Sequence, residues 1–213
     1  MAALQYDLFD QQGSGAQPLV ELERRELSDR SWLLIARGWW RGADALMDDL
    51  EREIEWRQGR RMIFDEIVTE PRLSRCHRMT GATPNTTPRI IDMKRATEDL
   101  LGLNLTDPFL NFYRDGTDSV AFHADRELRH SPEAVVAIVT LGSRRPFRIR
   151  ADRGGPAIDL APATGDLIVM GGACQHEFQH AVPKSKHGGP RISVSMRWPR
   201  PGRNAERTTG PPR

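Results

Sequence analysis

The residues most able to do chemistry lie in one segment, NFYRDGTDSVAFHADRE, which runs from Asn111 to Glu127. Within it, His123 and Asp125 are separated by a single residue. Side chains two positions apart on an extended strand point to the same face, so this imidazole and this carboxylate could reach one metal ion. The pair alone is weak evidence, because His-x-Asp is common by chance and a buried His beside a carboxylate is usually structural.

Three residues near the other end of the chain could complete the same site. His180 adds a second imidazole, and two His plus one carboxylate is the ligand set that non-haem Fe(II) centres favour. Arg191 and Arg197 have an even spacing, which places both on one face of a strand. Two inward guanidiniums in the apolar segment RISVSMR are costly without an anion, and the planar fork of Arg suits a carboxylate ligand.

The second half of the chain predicts the elements that position these residues. After Asp107, short β-favouring segments alternate with turns rich in Gly, Asp and Arg, which is typical of a β-sandwich or barrel. The segment VVAIVTLG is almost wholly apolar and should be buried on both faces. The predicted strands are Phe109–Tyr113, Ser119–Phe122, Ala134–Leu141, Phe147–Arg150, Asp166–Met170 and Ile192–Trp198.

The first half predicts a strand at Ser31–Arg37 and two helices. Apolar residues recur at three- and four-residue steps from Leu46 to Ile54, and Pro88 opens a second helix over Arg89–Leu101. A helix that covers one side of a sheet is favoured over a partner-binding helix. Between the helices we expect a basic turn at 57–61, either solvated or in contact with phosphates, a strand at Met62–Val68, and a loop from Glu70 through GATPNTTP.

Composition predicts one soluble domain. The chain has 213 residues, of which 38% are hydrophobic and 28% charged, and no apolar segment approaches the roughly 20 residues of a membrane helix. Two distant cysteines do not require a disulfide, and a net charge of +2 favours nucleic acid only slightly. We expect a flexible lead-in over 1–25, a domain over 26–199, a disordered basic tail over 200–213, a monomer, and a cytoplasmic location because no secretion signal is evident.

The combined pattern resembles the AlkB family of Fe(II)/2-oxoglutarate-dependent dioxygenases. It consists of N-x-Y, H-x-D, a further His in the context HxVP, and R-x5-R, and it covers roughly Leu103 to Trp198. The resemblance implies an α+β, mainly β fold with a double-stranded β-helix (jelly-roll) core and N-terminal helices packed on one sheet. It also favours His180 over His176, His77, His130 and His187 as the third metal ligand.

The resemblance assigns roles to these residues. His123, Asp125 and His180 would hold Fe(II), and dioxygen and 2-oxoglutarate would be cosubstrates. The distal carboxylate of 2-oxoglutarate would bind Arg191, and Arg197 would bind nearer the end that chelates the metal. The other expected cosubstrate contacts are Asn111, Tyr113 and Ser193, where Ser193 stands at a position that is Asn in some members.

The implied activity is oxidative demethylation of N-alkylated bases in DNA or RNA, a direct reversal of alkylation damage. The methylated base must be in a single strand or flipped out of a duplex to reach a buried iron. Glu127 and Arg72 are the expected substrate contacts, while Phe122 is interpreted as core. The segment after Arg72, LSRCHR, lacks the aromatic residues usual there, so substrate class stays open. The alternatives are a dioxygenase acting on a protein or small metabolite, and a nucleic-acid-binding module without turnover.

Overall fold

The computed structural model describes residues 14–17, 19–63, 65–76 and 86–199. The basic tail predicted over 200–213, the first part of the lead-in and most of the segment GATPNTTP lie outside the described residues. None of the helices within the described ranges has the length and apolar character needed to span a membrane.

Fourteen strands and three α-helices are assigned within the described residues. The helices are α1 Ala43–Glu53, α2 Thr87–Leu101 and α3 Cys174–Glu177. The strands are β1 Gly15–Ala16, β2 Leu22–Glu26, β3 Ser31–Ala36, β4 Trp40–Arg41, β5 Arg57–Ile63, β6 Glu66–Cys76, β7 Phe109–Tyr113, β8 Val120–His123, β9 Ala134–Gly142, β10 Arg148–Ala151, β11 Ile158–Asp159, β12 Leu167–Gly172, β13 Phe178–Val182 and β14 Arg191–Pro199.

Two antiparallel sheets form the body of the protein. The larger sheet has the order β2-β3-β12-β9-β14-β7-β6-β5, and the smaller has the order β11-β10-β13-β8. Strands distant in sequence lie side by side in both, as when β14 pairs with both β7 and β9. The mainly β, jelly-roll architecture predicted from the sequence is confirmed.

The core has two layers, one on each face of the larger sheet. Between the sheets, side chains such as Leu33, Ile138 and Met170 meet Ile149 and Val182 of the smaller sheet. Alternate residues of the same strands point the other way and pack under the helices. These strands are therefore apolar on both faces, as expected for VVAIVTLG: every residue from Ala134 to Leu141 is buried.

The two N-terminal helices cover the outer face of the larger sheet, as predicted. Leu46 and Leu50 of α1 and Ile90 and Met93 of α2 are buried in one cluster with Val139 and other sheet residues. Their three- and four-residue spacing produces the apolar stripe that faces the sheet. Covering this face leaves the space between the sheets as the place for a ligand site.

Four local predictions before α2 are wrong. Residues 22–25 belong to β2, not to a flexible lead-in, because they pair with β3. The basic segment at 57–61 lies in β5 and is not a turn. The single strand predicted at Met62–Val68 is interrupted near Asp65, whose φ of 64° allows the chain to reverse into β6. Finally, the expected loop after Glu70 is strand as far as Cys76, paired with β7.

Candidate metal and cosubstrate site

His123 and His180 lie directly opposite each other on neighbouring strands of the smaller sheet. β8 pairs antiparallel with β13, His123 is the register partner of His180, and their ring centroids are 4.3 Å apart. Asp125 follows the end of β8, and its Oδ1 is 3.8 Å from Nε2 of each His. One possible ligand atom from each residue lies within 4.8 Å of the others, so the three can share one ion.

A β-bulge aims His123 into the space between the sheets. The register changes between the pairs His180–His123 and Val182–Val120, so three steps on β8 match two steps on β13. Strict alternation from Val120 would instead turn Phe122 inward and His123 outward. The interpretation of Phe122 as core is therefore wrong: its half-buried ring belongs to neither core layer and lies 3.9 Å from the guanidinium carbon of Arg150.

Two neighbours hold Asp125 in place. Its carboxylate accepts a 2.7 Å hydrogen bond from Nε of Arg197, and its backbone N–H donates to Oε1 of Gln175 at 2.9 Å. Burial alone would raise the pKa of Asp125, but the charge and the hydrogen bond of Arg197 outweigh burial and lower it. The carboxylate is therefore ionised at neutral pH, as a metal ligand must be.

Both imidazoles can present Nε2 to an ion. Nδ1 of His123 lies 2.9 Å from the carbonyl oxygen of Ala121, which can only accept, so Nδ1 carries the proton and the Nε2 lone pair is free for a metal. Burial, reinforced by His123, lowers the pKa of His180 to about 3. His180 therefore needs no deprotonation before it binds an ion at neutral pH.

Arg191 lies at the other end of the same inward face of β14. It is fully buried, and its Nη2 makes a long hydrogen bond of 3.3 Å to Oγ1 of Thr140. Its Nε and Nη1 have no hydrogen-bond partner among the described residues. Burial lowers its pKa only to about 10, so the guanidinium remains charged at neutral pH. A buried cation with two unused donors fits the distal carboxylate of 2-oxoglutarate.

Three other predicted cosubstrate residues lie between this end and the metal ligands. Tyr113 is the register partner of Arg191, and Asn111 is the partner of Ser193 across the same pair of strands. All three line one cavity, and Oδ1 of Asn111 accepts a 2.9 Å hydrogen bond from Nε of Arg72. The structure thus brings these residues together, while their contacts with 2-oxoglutarate stay predictions.

Arg197 and Glu127 have partners that the sequence did not predict. Nε of Arg197, besides bonding to Asp125, lies 2.9 Å from Oε1 of Glu127, whose side chain is 59% exposed. Two carboxylates, those of Asp125 and Glu127, therefore accompany the guanidinium of Arg197. The substrate contact predicted for Glu127 stays a prediction, and this ion pair links it to the metal end.

A cavity of about 430 Å³ connects these groups. Its volume is within the range of pockets that bind small molecules, about 300–1,000 Å³. Residues of both sheets line it, among them the metal-ligating side chains, Phe147 and Ser195, and its lining also includes Glu70, Arg72 and Glu127. One space therefore holds the three candidate metal ligands, the expected substrate contacts and the expected cosubstrate contacts other than Arg191. Arg191 lies next to this lining, with its guanidinium carbon 5.9 Å from the centre of the Tyr113 ring.

A sequence profile described as the 2OG-Fe(II) oxygenase superfamily matches residues 44–200, which include the whole cavity lining. The protein belongs to this superfamily. Fe(II), 2-oxoglutarate and dioxygen are the cofactor and cosubstrates of the family, and the His-Asp-His donor set with the incompletely bonded Arg191 fits them.

The protein is AlkB-like within this superfamily. It is 28% identical over 174 residues to bovine alpha-ketoglutarate-dependent dioxygenase alkB homolog 3, covering 73% of this chain and 61% of the relative. It is 25% identical over 177 residues to human DNA oxidative demethylase ALKBH2, covering 73% and 68%. The chain thus spans less than two thirds of the alkB homolog 3 relative.

A solved structure with the same fold is a prolyl hydroxylase from Trichoplax adhaerens, in complex with a peptide fragment of a hypoxia inducible factor oxygen degradation domain. The TM-score is 0.56 at 10% identity, with 79% of this chain and 80% of the other chain covered. At that identity the likeness concerns the fold alone, and it agrees with the jelly-roll topology.

Within the described residues, the rival histidines lie outside the metal cluster. Nε2 of His176 is 2.6 Å from the carbonyl oxygen of Ser131, and Nε2 of His130 accepts from Arg129. His187 is not part of the cluster, and His77 lies outside the described residues. The preference for His180 therefore agrees with the geometry.

Sequence reasoning missed three residues that support the site: Gln175, Thr140 and Arg145. Thr140 is a neutral residue within an apolar strand, and Gln175 is a neutral residue in the short helix α3; the contacts of both depend on tertiary packing. Arg145 lies in an Arg-rich turn that reads as solvated, yet it is 1% exposed. A polar residue inside an otherwise apolar strand, such as Thr140 in VVAIVTLG, was the one available signal.

Proposed function

We propose that this protein is an oxidative demethylase that removes methyl groups from ring nitrogens of alkylated nucleobases in DNA or RNA. With Fe(II) bound, dioxygen and 2-oxoglutarate supply the oxidation: one oxygen atom enters the N-methyl group and the other enters succinate as CO2 leaves. The hydroxymethyl product then breaks its C–N bond, which releases formaldehyde and restores the N–H or unmodified ring nitrogen of the base.

The observation that carries this proposal is a single cavity that joins the metal triad to Arg72 and Glu127. Next to the ligands, the cavity offers a guanidinium and a carboxylate, which can hydrogen-bond the polar edge of a base. The relatives point in the same direction, since one is named a DNA oxidative demethylase. Two further arginines, Arg57 and Arg60, lie on β5. This edge strand of the larger sheet pairs with β6, the strand that carries Arg72.

The chain's own residues would contribute binding, orientation and exclusion of water. Asp125 and the two His fix the ion on one wall, Arg191 holds the far end of 2-oxoglutarate, and apolar residues such as Val136 and Phe147 line the rest. Because the ligands are already neutral or ionised as required, no proton must leave Asp125 or His180 when the ion binds at neutral pH.

The direct test is a demethylation assay with defined oligonucleotides. Protein, Fe(II) and 2-oxoglutarate are incubated with single-stranded DNA or RNA carrying 1-methyladenine or 3-methylcytosine, and formaldehyde is quantified. We expect formaldehyde in proportion to repaired base and none with His123→Ala. Succinate formation without formaldehyde on any of these oligonucleotides would reject the substrate while retaining the oxygenase chemistry.

A second experiment tests base recognition by Glu127, and 2-oxoglutarate turnover without substrate reports whether loss of its ion pair with Arg197 disturbs the metal end. Glu127→Gln retains the shape of the side chain but removes its charge, and Glu133→Gln is a matched change nearby in sequence that does not line this cavity. We expect Glu127→Gln to lower formaldehyde release at least about tenfold while 2-oxoglutarate turnover without substrate continues, and Glu133→Gln to leave both unchanged. Equal formaldehyde yields from the two variants would remove Glu127 from the substrate site.

The cytoplasmic location and the monomeric state remain predictions from the sequence. The same is true of the domain limits 1–25, 26–199 and 200–213, apart from the strand at 22–25 described above. Fractionation of the cells that make the protein, together with light scattering of the purified chain, would test location and oligomeric state.

A further inference from the structure

A second fully buried guanidinium, that of Arg145, lies close to the Arg191 end of the cavity. Arg145 is in the turn between β9 and β10 and is 1% exposed. Nη1 donates to the carbonyl oxygen of Asp115 at 2.6 Å, and Nη2 donates to that of Asp118 at 2.7 Å. Nη2 also lies 3.4 Å from the carbonyl oxygen of Pro183. All three are backbone acceptors, so the positive charge is solvated by dipoles and not by a carboxylate.

The buried carboxylate of Asp118, whose backbone carbonyl bonds Arg145, is itself bound to another cation. Asp118 is 3% exposed, and its two carboxylate oxygens accept hydrogen bonds from Arg114 at 2.8 and 2.9 Å. Burial lowers the pKa of Arg145, although Tyr113, Asp118 and Asp115 partly offset this effect. Arg145 therefore keeps a largely uncompensated charge inside the protein.

Tyr113 connects this charge to the cosubstrate end. The guanidinium carbon of Arg145 lies 5.4 Å from the centre of the Tyr113 ring, and that of Arg191 lies 5.9 Å from the same ring. Both distances are within the range of cation–π contacts, so the ring is held by two cations. The charge of Arg145 also helps to lower the pKa of Arg191, which shows that the two guanidiniums repel each other.

Arg145 also ties together the backbone on which this end of the cavity depends. The turn after β7 and the loop before β14 meet where Ser185 donates its N–H to the carbonyl oxygen of Gly116 at 2.8 Å. A Cβ on Gly116 would lie 1.8 Å from the carbonyl oxygen of Ser185, so the two segments touch backbone to backbone. The carbonyls that Arg145 bonds belong to these two segments.

We propose that Arg145 is a positioning and specificity residue for 2-oxoglutarate. Through Tyr113 it fixes one wall of the subsite for the distal carboxylate, and it adds a second positive charge there. An anion at Arg191 relieves the repulsion between two buried cations, whereas an uncharged group does not. Arg145 therefore favours a 2-oxo dicarboxylate over a 2-oxo monocarboxylate of equal length. This inference rests on 2-oxoglutarate use, which the proposed function shares, but it does not depend on the nucleobase substrate.

The test measures binding and not turnover, so it is independent of the substrate assay. Calorimetry on the Mn(II)-loaded protein gives Kd for 2-oxoglutarate and for 2-oxovalerate, which has a methyl group where 2-oxoglutarate has its distal carboxylate. Arg145→Met removes the charge and keeps a long side chain, while Arg145→Lys keeps the charge. Arg144→Met is the matched control, because it removes an exposed cation from the same turn as Arg145.

We expect Arg145→Met to raise the Kd of 2-oxoglutarate about tenfold, which corresponds to about 1.4 kcal/mol, with the Kd of 2-oxovalerate unchanged within twofold. Arg145→Lys should retain most of the preference for the dicarboxylate, and Arg144→Met should retain it fully. If Arg145→Met raises the Kd of both keto acids equally, Arg145 has a structural role only and does not determine specificity. If the Kd of both is unchanged, the proposal is overturned altogether.

Arg145→Gln provides a decisive second variant if Arg145→Met does not fold. The amide can still donate to the carbonyl oxygens of the turn but carries no charge. Loss of selectivity in Arg145→Gln, with its far-ultraviolet circular dichroism matching the parent, supports the charge-based role. A Gln variant that prefers 2-oxoglutarate as strongly as the parent contradicts it.

Discussion

The two ends of the cavity satisfy their buried charges in opposite ways. At the metal end, Asp125 is bonded to Arg197 and Gln175, and the pKa of His180 is so low that the imidazole is neutral. At the cosubstrate end, Arg191 has two donors without a partner among the described residues, and Arg145 bonds backbone carbonyls alone. The first end is electrostatically complete within the chain, whereas the second is complete after an anion binds.

Because of this difference, the two ends of the cavity select their ligands by different physical means. A preformed donor set binds an ion with little rearrangement, and the ligand geometry sets the affinity. Buried cations without carboxylate partners cost folding free energy, and the protein recovers it when a dicarboxylate binds. Mutations at the metal end should therefore abolish chemistry, whereas mutations at the cosubstrate end should change both ligand affinity and the stability of the ligand-free protein.

The largest effect is expected at the metal end, from Asp125→Ala. The change removes one of three ligands and leaves Arg197 next to the two His, so iron binding and turnover should both be lost. Iron content after purification and succinate formation measure the two effects. Asp48→Ala, an exposed change on α1, is the control. A variant that keeps stoichiometric iron would show that Asp125 is not a ligand.

Arg191→Met should produce the next largest effect. It should weaken 2-oxoglutarate binding without lowering the stability of the ligand-free protein. Loss of two or more charge-assisted hydrogen bonds should raise the Kd of 2-oxoglutarate by at least about 100-fold, since each is worth about 1.5–3 kcal/mol. The ligand-free variant should unfold at the same temperature as the parent or higher, because an uncompensated buried cation has been removed. Thermal unfolding with and without 2-oxoglutarate measures both quantities.

Arg150→Met is the control for Arg191→Met, because the guanidinium of Arg150 lies over Phe122, whereas that of Arg191 lies near Tyr113 and Phe147. It should retain the stabilisation that 2-oxoglutarate gives the parent. If Arg191→Met saturates with 2-oxoglutarate like the parent, the role of Arg191 is refuted. If it is less stable without ligand by several kcal/mol, the contrast between the two ends fails.

Gln175→Leu tests how far the metal end depends on support from outside the ligand set. The change removes the acceptor for the backbone N–H of Asp125 while keeping the buried volume similar. Loss of such support typically lowers metal affinity about 10–100-fold. Titration with Mn(II) measures the effect. Gln179→Leu is the control, because the side chain of Gln179 bonds Asp152 and Arg150 and not Asp125. Equal affinities in the two variants would show that Asp125 holds its position without Gln175.

The sequence predicts most of this site because its signals are local or strongly patterned. Strand alternation predicts which side chains share a face. It groups His123 with Asp125 and Arg191 with Arg197, and it predicts that the apolar segment VVAIVTLG is buried on both faces. The AlkB resemblance then selects His180 among several histidines. Helices α1 and α2 follow from their apolar periodicity, so their position over one sheet is also predictable.

The remaining features depend on pairing between distant strands, which composition does not reveal. The bulge in β8 reverses the faces of Phe122 and His123, and no residue in VAFH predicts a bulge. The basic segment at 57–61 appears suited to a turn, but pairing with β6 makes it a strand. Arg145 appears solvated until the turn carbonyls of Asp115 and Asp118 are placed around it. Register and tertiary packing override local propensity in each case.

The smallest expected effect concerns Glu177, which anchors the short helix that carries Gln175. Its carboxylate accepts hydrogen bonds from Ser28, Ser31 and Arg30, and these lower its pKa from 4.5 to about 2. A carboxyl group whose pKa is lower in the folded protein stabilises it above the ordinary pKa, and this stabilisation is lost as the pH falls toward the folded value. Glu177→Gln should therefore unfold about 2–4 °C below the parent at pH 7.

The pH dependence of that difference separates the charge of Glu177 from its shape. Every other acid titrates in both proteins, so the gap between the two unfolding temperatures should be constant above about pH 4.5 and should narrow toward pH 2. A gap that stays the same down to pH 2 would assign the effect to packing. If the gap narrows and metal affinity at pH 7 is unchanged, the metal end is held by its own contacts with Arg197 and Gln175, and the anchor beneath α3 contributes stability alone.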